Sequence, residues 1–271
     1  MKQSELFKIY LPYPEKGDRL VRVYVPSHDE GERLPVIYMT DGQNLFDKES
    51  GKWGCWFTRE AVEAERESSG KAAIIVGIHN DNEWRDNELT PKSIGEIIHA
   101  EKMDNFTSPE GEIFDSFVMD VVKPYIEEHF SVKKGRENTA FCGSSSGGLQ
   151  SFFTALSHPE SFSFAGVFSP AFLLYSEEDI RRWIMSRLKE NMPYLYIYTG
   201  AGDDLEYSIF ESVESTYDIL QECYPFERMN EVILFENGHN EKAWEPIFGD
   251  FLHSFLISDS LCNVTLHPIR L

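Results

Sequence analysis

Apolar residues in this chain first alternate with polar ones and then gather into runs. Leu6 to Leu11 and Arg19 to Val25 alternate between turn residues, the period-2 pattern of strands with one face in water. They predict an antiparallel pair at a sheet edge. From residue 34 the apolar runs become continuous, as in strands covered on both faces: Leu34 to Thr40, Ala72 to Ile78, the stretch ending Ala140-Phe-Cys142, Phe162 to Pro170, and Tyr194 to Thr199. Glu231 to Glu236 is the last expected strand. Between them, spacing near 3.6 predicts helices over 57–67, 113–126, 149–156, 177–191, 209–224 and 241–257. Pro124 should kink the second of these or end its regular part, because it lacks an N–H and crowds the preceding turn. The stretch 79–112 is polar and irregular, a length at which loops in compact domains are usually functional or form lids. The tail 258–271 reads as a short strand or a packed segment through Val264, Leu266 and Ile269.

Strands alternating with helices after residue 34 predict an α/β fold, with a mainly parallel central sheet, helices on both faces and an antiparallel N-terminal edge. No repeat, linker or low-complexity segment divides residues 1–271, so a single domain is expected. In such sheets the ligand site lies beyond the carboxyl ends of the strands.

The formal net charge of -21 narrows the partners. So acidic a surface repels phosphate backbones and anionic lipid, so neither nucleic acid nor a membrane is an expected partner. No apolar run approaches membrane-spanning length, and the N-terminus lacks the apolar core of a signal peptide. Cys55, Cys142, Cys223 and Cys262 have no C-x-x-C spacing and read as reduced thiols. A cytoplasmic protein is expected, with no cofactor and no metal.

The chemistry gathers at the predicted strand ends. Gly143-Ser-Ser-Ser-Gly147 follows a strand and opens a helix, the G-x-S-x-G pattern of a nucleophile elbow. Of the three serines only Ser145 has glycine two residues away on both sides. A serine hydroxyl needs a base to take its proton, and the base needs a carboxylate to orient it. Ser145, Asp203 and His239 occur in that order, each where a strand hands over to a loop. Asp204 and Glu206 share the loop of Asp203 and remain alternatives for the acid. His79 also ends a strand, but it precedes the serine. The oxyanion of a tetrahedral intermediate needs two inward N–H groups. The amide of Ser146 and that of Gln43, in Asp41-Gly-Gln-Asn44, are the candidates. Trp53, Trp56 and Trp84 are candidates for an aromatic substrate wall, with core packing as the alternative. Arg85 is a candidate for a substrate carboxylate, with pairing to Asp86 or Glu88 as the alternative.

These stretches resemble the putative-esterase family of α/β-hydrolases, which includes feruloyl and acetyl-xylan esterases, enterochelin (siderophore) esterases and S-formylglutathione hydrolases. The resemblance rests on Tyr38-Met-Thr-Asp-Gly-Gln-Asn-Leu-Phe46, Val76-Gly-Ile78, Arg85-Asp-Asn-Glu-Leu-Thr-Pro91, Gly143-Ser-Ser-Ser-Gly-Gly-Leu149, His158-Pro-Glu-Ser-Phe162, Phe168-Ser-Pro170 and Gly238-His239 with Trp244. It implies an α/β-hydrolase fold and metal-free hydrolysis of a carboxylic ester, with Ser145 as nucleophile, His239 as base and Asp203 as acid. Where Ser146 stands, members more often carry methionine, which leaves the backbone role untouched. The expected partner is a small-molecule ester of carbohydrate-linked, feruloyl or siderophore type, while the oligomeric state is left open, a homo-oligomer included. Two rival readings keep the scaffold: an acyltransferase that passes the acyl group to an alcohol, and a non-catalytic binding module.

Overall fold

The computed structural model describes residues 2–47, 54–103 and 105–261. The expectations for Trp53 and for the end of the tail lie outside the described residues. The alternating N-terminal runs form β1 (Glu5–Tyr13) and β2 (Gly17–Val25), paired antiparallel with Glu5 opposite Val25. Then come β3 (Val36–Met39), α1 (Thr58–Ser69), β4 (Ile74–Ile78), α2 (Arg85–Glu88), α3 (Gly111–Phe117), α4 (Lys123–His129) and β5 (Thr139–Ser144). The second half adds α5 (Ser146–Ser157), β6 (Phe164–Phe168), α6 (Glu177–Arg187), β7 (Tyr194–Gly200), α7 (Asp204–Cys223), β8 (Met229–Leu234) and α8 (Glu241–Leu261).

The strands form one eight-stranded sheet in the order β1-β2-β4-β3-β5-β6-β7-β8. β4, β3, β5, β6, β7 and β8 run parallel, and β2 joins β4 antiparallel. The continuous apolar runs are explained by burial on both faces. In β3, Val36 and Tyr38 enter a core shared with Phe114, Phe141 and Phe152, while Ile37 and Met39 enter a second core with Phe168, Phe248 and Phe251. From β3 the chain passes to β4 on one side and then crosses back to β5 on the other, and at such a reversal of strand order a crevice opens beyond the carboxyl ends. The loop after β3 and the turn after β5 both empty into it.

Three sequence expectations change. The face of β2 expected in water is partly covered by the 79–112 stretch: Arg19 makes a two-pronged pair with buried Glu88 at 2.6 and 2.7 Å. That stretch is therefore organised by α2 and by short 3-10 turns rather than irregular throughout. Pro124 is accommodated by a π-turn over Val118–Val122 directly before it, where the wider turn absorbs the missing hydrogen bond. Finally, α7 begins five residues earlier than its apolar spacing suggested, because the Asp203 carboxylate accepts the Glu206 amide and caps the helix. Among the described residues no helix is long and apolar enough to cross a membrane.

Candidate active site

Ser145 stands between β5 and α5 with φ 60° and ψ -127°, a conformation that L-residues rarely adopt. Its amide donates to the Phe168 carbonyl at 3.0 Å, and its carbonyl accepts from Ala171 at 3.2 Å and from Leu149 at 3.0 Å. The turn is therefore pinned to the end of β6. The flanking glycines are required by close approach: a Cβ on Gly143 would lie 2.4 Å from the Gly147 carbonyl oxygen and from Thr40 Oγ1. One on Gly147 would lie 2.2 Å from Thr40 Oγ1.

His239 follows β8 and its side chain is 11% exposed. The structure differs here from the expected acid. Nδ1 of His239 lies 2.6 Å from Glu206 Oε2, and Glu206 is fully buried. Glu206 Oε1 accepts the Ser169 hydroxyl at 2.6 Å and the Gly200 amide at 2.7 Å. Ser169 in turn accepts Trp244 Nε1 at 2.9 Å, and the Trp244 ring stands edge-on to the imidazole, centroids 5.1 Å apart. An indole N–H can only donate, which directs the Ser169 proton to Glu206. Because Ser169 immediately follows Phe168, to which Ser145 is bonded, the elbow and the Glu206–His239 pair share one support.

Asp203 does other work. Its Oδ1 caps α7 and its Oδ2 accepts the backbone amide of His239 at 2.7 Å. Partial burial opposes its ionisation, but the Glu206 and His239 amides outweigh that and hold the carboxyl below the usual aspartate value. The cap turns the third helical residue, Glu206, inward and leaves Asp204 exposed. An Asp-x-x-Glu spacing is a helix-start signature, and it was available in the sequence to mark Glu206 as the inward-facing acid.

Gln43 lies in a 3-10 turn over Gly42–Asn44, entered through Asp41 in the left-handed region at φ 56°. Arg85 holds that turn. Its guanidinium meets Asp41 through Nε at 2.6 Å and Nη2 at 2.9 Å, the Ser144 carbonyl at 3.1 Å and Asp86 at 3.1 Å. Asp86 also accepts the Ser146 hydroxyl at 2.9 Å. All three guanidinium nitrogens are thus engaged by the protein: of the two readings of Arg85, the pairing with Asp86 is present, and Asp41 is a further partner. Neighbouring α2 residues thereby hold Ser144 and Ser146, on both sides of Ser145, and Asp41 at the entry to the Gly42–Asn44 turn. Arg85→Met should strand the buried Asp41 carboxylate and lower unfolding free energy by roughly 3 kcal/mol in urea titration, and Arg85→Lys, which cannot form the fork, should recover only part of it.

Of the two readings of Trp56, core packing is the one present. The side chain is buried, stacked on Trp244 at 5.7 Å and edge-on to Phe168 at 5.1 Å, and so supports the site from beneath rather than lining it. Trp84 is half-buried just before Arg85, with the Lys16 ammonium 5.7 Å from its ring centroid. His79, the competing histidine, packs beneath Gly42. Burial and the nearby Arg22 and Arg19 charges push its pKa down to about 4. A histidine neutral in the fold but protonated when unfolded costs stability as pH falls below its unfolded pKa, near 6.5, until the folded value is passed. His79→Gln should therefore lose less stability than wild type between pH 7 and pH 5, by roughly 2 kcal/mol in chemical denaturation.

Among the described residues no group of three or more His, Cys, Asp or Glu side chains could hold a metal ion. The arrangement offers a strained serine, an imidazole on a buried carboxylate and the Gly42–Asn44 turn that carries Gln43. A family model described as putative esterase matches residues 15–215. Siderophore hydrolase EstB from Aspergillus nidulans superposes with a TM-score of 0.70 at 18% identity, over 94% of this chain and 96% of that one. An IroE-like serine hydrolase from Shewanella oneidensis gives 0.72 at 17% identity, over 93% and 80%. The CE1 ferulic acid esterase AmCE1/Fae1A from Anaeromyces mucronatus gives 0.62 at 21% identity, over 94% and 91%. At these identities the likeness is one of fold, that of the α/β-hydrolases.

Proposed function

The chain belongs to the putative esterase family, and on that premise we propose that it is a serine carboxylesterase acting through an acyl-enzyme on Ser145. The observation that carries this reading is the shared support of the strained Ser145 turn and the buried Glu206–His239 pair through the end of β6. Nδ1–H of His239 donates to Glu206, which leaves Nε2 with a lone pair to receive the Ser145 proton. Ser145 Oγ attacks the ester carbonyl as that proton moves, and the resulting oxyanion is met by the amides of Gln43 and Ser146. His239 then returns the proton to the departing alkoxide, leaving the acyl group on Ser145. Water, deprotonated by His239, attacks the acyl-enzyme, and its collapse releases the acid.

In this reading Glu206 replaces Asp203 as the acid, and Asp203 positions the base by capping α7 and holding the His239 backbone. The substrate is a small-molecule ester. The names of the structural neighbours point to siderophore and feruloyl esters as the first to assay. The test is mass-spectrometric mapping of a fluorophosphonate probe together with hydrolysis of p-nitrophenyl acetate. Labelling confined to Ser145, with turnover, is expected; an unlabelled Ser145 in folded protein would overturn the assignment.

A further inference from the structure

Glu241 is a second buried acid beside the site, and the mechanism above does not use it. It opens α8 two residues after His239 and is 3% exposed. Its Oε1 accepts Asn44 Nδ2 at 2.9 Å, a contact between residues 197 apart in the chain, while its buried Oε2 has no side-chain donor among the described residues. Gly54 packs on its Cβ so closely that a Cβ there would lie 2.9 Å away. Among the described residues the charged groups facing it are Asp41, Arg85 and His239; burial first, with the Asp41 charge, pushes its carboxyl above the usual range, against its own backbone amide, Arg85 and His239. Burying a half-satisfied carboxyl is costly, and packing alone would be served by an apolar side chain, as at Ala243 and Trp244 in the same turn.

We propose that Glu241 is a positioning residue that latches the oxyanion turn to the segment carrying His239. Asn44 closes the three-residue turn that contains Gln43. Its amide donates to the Asp41 carbonyl at 2.8 Å and its carbonyl accepts the Trp56 amide at 2.8 Å. Those two bonds tie the turn only to nearby stretches of the chain. The side-chain bond to Glu241 ties it to the start of α8, two residues after His239. Gln43, the donor beside Asn44, and His239, the base beside Glu241, thus keep a fixed separation. Rate is sensitive to displacements of this kind, since misplacement by about 1 Å can cost 10²-fold.

The inference rests on the esterase reading, so wild-type turnover and Ser145 labelling are established first; their failure strikes that reading and not the latch. The steady-state parameters of Glu241→Leu, Glu241→Gln, Asn44→Leu and the Asn44→Leu/Glu241→Leu double variant are then compared on p-nitrophenyl acetate. Glu241→Leu and Asn44→Leu are each expected to lower kcat about tenfold or more with KM little changed, and the double variant to be no worse than either. Glu241→Gln keeps an acceptor for Asn44 and should retain most of the rate. Asn44→Asp sets two carboxyls against each other and should lose rate, and Asn44→Asp/Glu241→Gln, which reverses donor and acceptor, should regain it. If Glu241→Leu does not fold, the Asn44 variants and the reversed pair carry the test. Near-wild-type kcat in Asn44→Leu, additive losses in the double variant, or no recovery in the reversed pair would overturn the latch.

Discussion

Ser145→Ala is expected to lower kcat on p-nitrophenyl acetate by roughly four to six orders of magnitude, leaving only what binding and the oxyanion donors supply. No neighbouring serine can substitute. Ser144 ends β5 as a buried strand residue, and the Ser146 hydroxyl is bonded to Asp86. The same position carries backbone strain, so inactivity and stability should separate there. Ser145→Gly removes the Cβ that makes φ 60° and ψ -127° unfavourable, and should raise unfolding free energy by about 1 kcal/mol while remaining inactive. Ser145→Ala keeps the Cβ and should not. Wild-type turnover in Ser145→Ala would remove the nucleophile from the mechanism. A Ser145→Gly protein less stable than wild type would remove the strain argument and leave the chemistry standing.

Glu206→Gln should be the next most damaging change, with kcat lower by roughly 10³ to 10⁴-fold. An amide nitrogen facing Nδ1 would require the opposite imidazole tautomer, with its proton on Nε2, where the serine proton must go. Asp203→Asn is the informative contrast. Its side-chain oxygen can still cap the Glu206 amide, so kcat should fall by no more than about tenfold and stability by about 1 kcal/mol. Steady-state kinetics with thermal unfolding on both variants reads the difference. Were Asp203→Asn the more damaging to kcat at equal stability, the acid role would return to Asp203.

These two acids show how far residue patterns reach. The continuous apolar runs of β3 to β7 were legible because burial on both faces leaves no room for polar alternation, and the elbow because only glycine fits beside Ser145. The placement of His239 at a strand end was likewise readable from the order of elements. Which carboxylate meets His239 was not readable from strand ends, since a carboxylate can serve either as a cap or as an imidazole partner. One helical turn decides between Asp203 and Glu206. The strand-end rule favoured the residue that begins the helix; the cap rotates the residue three further on toward His239. Two readings stayed open for Arg85 and for Trp56 for a related reason. A charged or aromatic side chain in a loop near a site looks the same in sequence whether it faces a ligand or the protein behind it.

What the sequence determined by itself was the local chemistry: the alternation and runs that make strands, the glycines that permit the Ser145 turn, and the serine–acid–histidine order. What only the tertiary structure decided was which polar groups meet. Arg85 with Asp41, Ser169 with Glu206 and Asn44 with Glu241 are separated by 44, 37 and 197 residues. No local propensity encodes such contacts. They arise because burial strips water from these groups when the sheet closes, and each donor or acceptor must then find a partner among whatever the fold brings beside it.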